Sequence, residues 1–419
     1  MGGGRERRRV VVTGIGLVTS IGSGRREVWE AAIEGRSGAA PITLFDPVNH
    51  ETKFACEVKG FEPTDFVDRK AARRMDRFAQ LAVAAALLAV EDAGLELNGG
   101  SDRVGAMIAS GVGGLQTFQE QAQIYHERGP DRMSPFFITM MVANMGAAQV
   151  SMTLGLRGPL SCPVTACASG NHAIGDATEA IRRGQADVML AGGADACVTG
   201  MGIAAFNSVK ALSTRNDDPA GASRPFDLAR DGFVMGEGGA VLVLEALEQA
   251  VARGADVICE VVGYGMSGDA HHVTEPDPSG RPAANAMRMA LDDAGVPPEA
   301  VDYVNAHGTS TPVGDASEVR VVQIALGEDV AARTAVSSTK SMHGHCLGAA
   351  GGVEAALAAM AIREGTIPPT INLESLDPEC EGVDHVANRA READVRVALS
   401  NAFGFGGHNA TIVLARAES

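Results

Sequence analysis

The sequence predicts an α/β layered fold built twice over, and three observations carry that prediction. Apolar strand-like runs alternate with Ala-rich helical stretches, as in RVVVTGIG, RFAQLAVAAALLAVEDAG, RVGAMIASG, NHAIGDATEAIRRG and ADVMLAGGAD. This alternation belongs to buried sheets covered by helices. Glycine is abundant, at 51 residues, and aromatic residues make up only 4%. A core of Ala, Val, Leu, Ile and Met with many tight turns follows. Third, segments recur in the same order along the two halves of the 419 residues.

The first recurring pair is AALLAVEDAGLELNGGSDRVGAMIASG, from Ala85, and NAMRMALDDAGVPPEAVDYVNAHG, from Asn285. Each reads as an Ala/Leu helix, an Asp-Ala-Gly stop, a short loop and a strand. The second pair is HAIGDATEAIRRGQADV, from His172, and GAAGGVEAALAAMAIREGTIPP, from Gly348, two small-residue helices ending in Ile-Arg-x-Gly. The third is DGFVMGEGGAVLVLEA, from Asp231, and NAFGFGGHNATIVLARA, from Asn401. Three pairs in order point to duplication rather than to the general likeness of α/β chains. ADVICEVVGYGMSG opens a strand much as RRVVVTGIGLV does. The break therefore falls near residue 255, giving halves of 1–255 and 256–419.

A net charge of −17 opposes nonspecific binding to nucleic acid or an anionic membrane. Against it stands one basic stretch, RKAARRMDR, with Arg69, Lys70, Arg73, Arg74 and Arg77 within nine residues. It reads either as a solvated helix face or as a docking site for an acidic partner. Seven scattered cysteines without a CxxC pair fit a reducing cytoplasm and argue against a disulfide framework or a zinc site, so no metal is expected. MGGGRERRRVVVTGIG lacks an uninterrupted apolar region before a cleavage site. No run approaches ~20 apolar residues, so neither a signal peptide nor a membrane span is expected.

PVTACASGNHAIGDA places Cys167 where a β-prone run gives way to a small-residue helix. Glycine and alanine let such a helix start directly behind the thiol. A helix N-terminus favours the thiolate, so Cys167 is expected to be partly ionised. The other reading is a buried packing cysteine, which is accepted for Cys56, Cys162, Cys197, Cys259, Cys346 and Cys380. VNAHGTSTPVGDASE places His307 in one loop, and SSTKSMHGHCLGAAGG places Lys340, His343 and His345 in another. Both loops lie in the second half, where a duplicated sheet would bring them towards Cys167.

Together TACASG, NAHGTSTPVGD, STKSMHGHCLGAAG and NAFGFGGHN resemble the signature segments of the β-ketoacyl-[acyl carrier protein] synthases, the elongating type II enzymes most closely. The resemblance extends over nearly the whole chain, including RRMDRFAQ and GLRGP. It implies a thiolase-like fold, two halves stacked as a five-layered α-β-α-β-α sandwich. The implied activity is decarboxylative condensation of an acyl chain with malonyl-acyl carrier protein, with a type II polyketide ketosynthase as the alternative.

The family's residues carry over as follows. Cys167 is the acyl-accepting nucleophile, His307 and His345 are the two catalytic histidines, and Lys340 is the lysine of the second loop, with Glu354 hydrogen-bonding behind it. Position 343 is more often Thr in the family, so His343 is not taken as the second histidine. Gly404, Phe405 and Gly406 form a gate that also supplies an oxyanion amide; the other reading there is a rigid turn with Phe405 packed. Val112, Phe137 and Phe206 match positions of the acyl tunnel, while Thr309 and Thr311 match the pantetheine contacts. Lys70, Arg73 and Arg74 match a carrier-protein docking segment. The resemblance further implies a cytoplasmic homodimer that needs no cofactor beyond the phosphopantetheine of acyl carrier protein.

Overall fold

The computed structural model describes residues 7–97 and 101–418. The first six residues, part of the N-terminal reading above, and residues 98–100, in the loop of the first repeat, lie outside the described residues. The first half contributes β1 (Val10–Thr19), β2 (Val104–Ala109), β3 (Leu160–Ser161), β4 (Val188–Asp195) and β5 (Gly238–Ala246). The second contributes β6 (Cys259–Gly268), β7 (Tyr303–Asn305), β8 (Ala335–Ser337), β9 (Asp384–His385), β10 (Val397–Gly404) and β11 (His408–Ala415).

Strand order is β1-β5-β4-β2-β3 in the first half and β6-β11-β10-β7-β8-β9 in the second. The senses repeat as well: two antiparallel pairings are followed by parallel ones in both. The halves join where β1 meets β6, with Val11 opposite Glu260 and Val12 opposite Cys259. Between them the chain passes through the short helix Leu247–Ala252.

Five helices complete the layers. α1 (Arg77–Asp92) covers β1, β5 and β4 from outside, and α3 (Arg281–Ala294) covers β6 and β11, with α4 (Pro312–Leu326) beside it. α2 (Ser169–Arg182) and α5 (Ala350–Glu364) lie between the sheets and touch strands of both. The result is the α-β-α-β-α order that duplication leads one to expect.

Local chemistry explains the paired helices. The Asp-Ala-Gly stops end α1 and α3 at Gly94 (φ 56°) and Gly295 (φ 65°), left-handed positions suited to glycine. In the middle layer the two backbones nearly touch, since a Cβ on Gly170 would lie 2.7 Å from Gly352 N. α5 is buried from Ala350 to Ile362. Burying Leu357 or Ile362 there contributes about 1.5–3 kcal/mol each.

Candidate functional site

Cys167 sits in the 3-10 turn Ala166–Ala168 that feeds directly into α2. Ala166 has φ 50°, a left-handed conformation costing a non-glycine residue about 1–3 kcal/mol. Neighbouring bonds hold it there. Thr165 N donates to Ser169 Oγ at 2.8 Å, and the same hydroxyl donates to Ala166 O at 2.6 Å. Ser169 thus ties the turn to the start of α2, and Asn171 donates to Ser400 O and Ala410 O. Gly404 closes over the turn, where a Cβ would stand 2.6 Å from Thr165 O and 3.2 Å from Cys167 N.

The second half delivers the imidazoles. His307 follows β7, and the N–H groups of His307 and Gly308 donate to Glu318 Oε1 and Oε2 at 2.8 and 2.7 Å. His345 is held by a strand-like bridge, its N–H donating to Val234 O at 2.8 Å and its carbonyl accepting from Gly236 N at 2.9 Å. Its ring packs edge-on against Phe233, centroids 5.2 Å apart. His345 Nε2 lies 3.1 Å from Cys167 Sγ. The His307 and His345 rings stand 5.4 Å apart and nearly perpendicular, at 87°.

Lys340 and Glu354 are both buried and ion-paired behind this group. Lys340 Nζ also lies 3.4 Å from His307 Nδ1. An ammonium group can only donate, so Nδ1 accepts and the His307 ring proton sits on Nε2. His343 has a different place. It is buried, with Nε2 3.0 Å from Thr339 Oγ1, and does not line the cavity that His345 lines.

Burial governs the charges. Desolvation, with the nearby Lys340 charge adding to it, holds His307 and His345 well below the usual histidine range. Both rings are therefore neutral at physiological pH. Desolvation also lifts the Glu354 carboxyl to about 7, opposed by Lys340.

The Cys167 thiol is pushed up to about 12 by burial, which outweighs the opposing pull of Lys340 and of the Phe405 N–H. This corrects the expectation of a partly ionised sulfur. Burial at the turn thus favours the neutral form, and the resting sulfur is a thiol.

Cys167, His307 and His345 line a cavity of about 480 Å³ together with Val112, Phe206, Thr309, Thr311, Gly404 and Phe405. The Thr309 and Thr311 hydroxyls are 3.0 Å apart on one wall. Phe405 is partly exposed, and its ring centroid lies 6.4 Å from that of Phe206. Gly406 (φ 86°) and Gly407 (φ 75°) make the turn between β10 and β11, where Gly406 N donates to Val273 O at 2.8 Å.

Two expectations need correcting. Phe137 does not line this cavity, because it belongs to the short helix Phe137–Met141 and packs near Phe118, centroids 6.4 Å apart. The basic stretch also divides. Lys70, Arg73 and Arg74 are exposed around the short helix Arg69–Ala72, with the Arg74 guanidinium 4.6 Å above the Phe136 ring. Arg77 instead turns inward and donates to Glu237 Oε1 at 2.6 Å.

Sequence reasoning overlooked the acids that hold the loop after β7. Besides Glu318, Asp315 accepts from Phe226 N at 2.9 Å and Ser310 N at 3.0 Å. Their signal was available: two acids three residues apart share one face of α4, a helix otherwise apolar on that side.

Comparison with known proteins places this geometry in context. The family model described as beta-ketoacyl synthase, N-terminal domain, matches residues 7–250, and the corresponding C-terminal domain matches 258–374. A 3-oxoacyl-[acyl-carrier-protein] synthase 2 from Synechocystis sp. is 52% identical over 97% of this chain and 98% of its own length. The solved ishigamide ketosynthase/chain length factor superposes with a TM-score of 0.93 at 39% identity, covering 99% of this chain and 100% of that one. A type II polyketide acyl-carrier protein in complex with its ketosynthase, bound to the hexaketide, gives 0.91 at 32% identity, covering 98% and 100%. No helix among the described residues is long and apolar enough to cross a membrane.

Proposed function

Because the chain belongs to the beta-ketoacyl synthase family, we propose that it carries out the decarboxylating Claisen condensation of fatty acid elongation. An enzyme-bound acyl chain would be joined to malonyl-acyl carrier protein, giving 3-oxoacyl-acyl carrier protein. The observation that carries this reading is the 3.1 Å approach of His345 Nε2 to Cys167 Sγ beside a second, neutral imidazole.

The reaction begins with a thiol. His345 takes the Cys167 proton as sulfur attacks the carrier thioester, then returns a proton to the departing pantetheine thiol. The N–H groups of Cys167 and Phe405 hold the tetrahedral oxyanion. Malonyl carrier protein next loses CO2, and its enolate oxygen accepts from His307 Nε2–H and from His345 once its ring proton has moved from Nδ1 to Nε2. The donation from Lys340 to His307 Nδ1 keeps that proton on Nε2. The carbanion then attacks the Cys167 thioester carbonyl and expels the sulfur as a thiolate, which takes one proton from solvent to restore the resting thiol. Each preorganised donor lowers the barrier by about 3–4 kcal/mol.

Other residues take supporting parts. Val112 and Phe206 receive the acyl chain, Phe405 gates it between Gly404 and Gly406, and Thr309 and Thr311 hold the pantetheine arm. Lys70, Arg73 and Arg74 meet the acidic carrier protein. The chain works without a separate cofactor, in the cytoplasm, as a homodimer. The exposed edge strand β3, with Leu160 and Val164 open to solvent, supports a paired second copy.

The higher identity to the 3-oxoacyl-[acyl-carrier-protein] synthase 2 than to the type II polyketide ketosynthase favours the elongation reading over a polyketide one. Incubation with acyl- and malonyl-carrier proteins, followed by product mass, tests it. A single two-carbon extension to the 3-oxoacyl product is expected. Repeated extension without reduction of the keto groups would replace it with the polyketide reading.

A further inference from the structure

One ligand atom from each of Cys167, His307 and His345 lies within 4.8 Å of the others, and the Cys167–His345 contact is 3.1 Å. A tetrahedral zinc ion bound by one sulfur and two imidazoles needs ligand separations of roughly 3.3–3.6 Å. Small side-chain rotations close that difference. The cavity leaves the fourth position open to water or a small ligand. Thiolate and imidazole are the donors that select a borderline-soft dication over magnesium or calcium.

One neighbour works against a metal. Lys340 Nζ stands 3.4 Å from His307 Nδ1. Because the lysine donates there, the His307 proton is placed on Nε2, the nitrogen a metal would need bare. Its positive charge also repels a dication, while the ion-paired Glu354 offsets part of that repulsion. We propose that Cys167, His307 and His345 form a capture site for zinc-like dications, and that Lys340 holds its affinity down. Binding would displace the thiol proton to solvent, shift the His307 ring proton from Nε2 to Nδ1 against the Lys340 donor, and occupy the nucleophile, so zinc would inhibit the chain rather than serve it.

Cobalt(II) is a suitable probe, because a thiolate ligand gives a near-ultraviolet charge-transfer band and tetrahedral coordination gives intense visible bands. Titration of the full chain is expected to produce both, with one proton released per metal, and added zinc should erase them by displacement. Cys167→Ser should lose the near-ultraviolet band. Lys340→Met with Glu354→Gln removes both buried charges together and should tighten cobalt binding by about tenfold. Glu354→Gln alone leaves Lys340 unopposed and should weaken it by a similar factor. Should the double variant fail to fold, the sign of the Glu354→Gln change decides the role of Lys340. No charge-transfer band at millimolar cobalt, or a band that persists in Cys167→Ser, overturns the site. Variants that leave affinity unchanged, or shift it in the same direction, overturn the part given to Lys340.

Discussion

The two turns that open α2 and α5 share one backbone device and differ in what faces them. Ala166 and Leu347 both have φ 50°, both stand in a 3-10 turn, and both lead into a buried helix of the middle layer. In the first turn the next residue is Cys167, covered by Gly404 at the end of β10. In the second it is Gly348, faced by Asp195 at the end of β4. There the Asp195 carboxylate accepts from Gly348 N at 2.6 Å, Gly111 N at 2.9 Å and Ser110 Oγ at 2.5 Å. The second half's turn is thus filled by the protein's own anion, whereas the first faces the cavity, where the proposed mechanism puts the substrate oxyanion. Duplication supplied the scaffold twice, and a few side chains decided which copy is left to react.

The largest effect expected from breaking this asymmetry follows removal of the sulfur. Cys167→Ala should lower the condensation rate by roughly ten-thousandfold or more, measured with saturating carrier-protein substrates. Adding Gly348→Cys should not restore it. Its Cβ would lie 2.7 Å from Asp195 Oδ2, so the double variant should instead lose about 1–3 kcal/mol of stability in denaturant unfolding.

The histidine loop sharpens the comparison. His345→Ala should slow acyl transfer by about a hundredfold to a thousandfold in rapid-quench experiments. His343→Ala should leave that rate within about threefold, yet lower stability by about 2–4 kcal/mol, because its buried ring would leave a hole. Reversed effects of the two substitutions would exchange their roles.

Much of this arrangement was legible from residue order. The Asp-Ala-Gly stops, the small-residue helices and the strand pairs are local signals repeated at two places, so the duplicated sheets followed from them. Cys167 stood out because a β-prone run gives way there to a small-residue helix, and His307 and His345 because each lies in a glycine-containing loop of the second half. The charge state of the sulfur was not legible, since desolvation depends on what the fold stacks over the turn, here β10 and the Lys340 loop. Phe137 shows the same limit in packing, because sequence cannot say which wall a short helix will face. Arg77 looked like its basic neighbours until Glu237, 160 residues away, drew it inward.

Two smaller effects remain. The Cys167 thiol is raised to about 12, so its thiolate fraction should grow tenfold per pH unit across the neutral and mildly alkaline range. Its alkylation by iodoacetamide should therefore climb from pH 7 to 9 without levelling, and a plateau near pH 7 would mean an ionised resting sulfur. Arg73→Glu with Arg74→Glu should raise the carrier-protein KM by about tenfold or less at low salt and fade at high salt. An unchanged KM at low salt would mark a solvated helix face.

The most direct test of the central claim, that the open turn carries the reacting group, is the intact mass of the chain after mixing with an acyl-carrier protein. The wild-type chain should gain one acyl group, mapped by peptide mass to Cys167, and Cys167→Ala should gain none. An adduct on another residue, or an adduct in Cys167→Ala, would contradict the account.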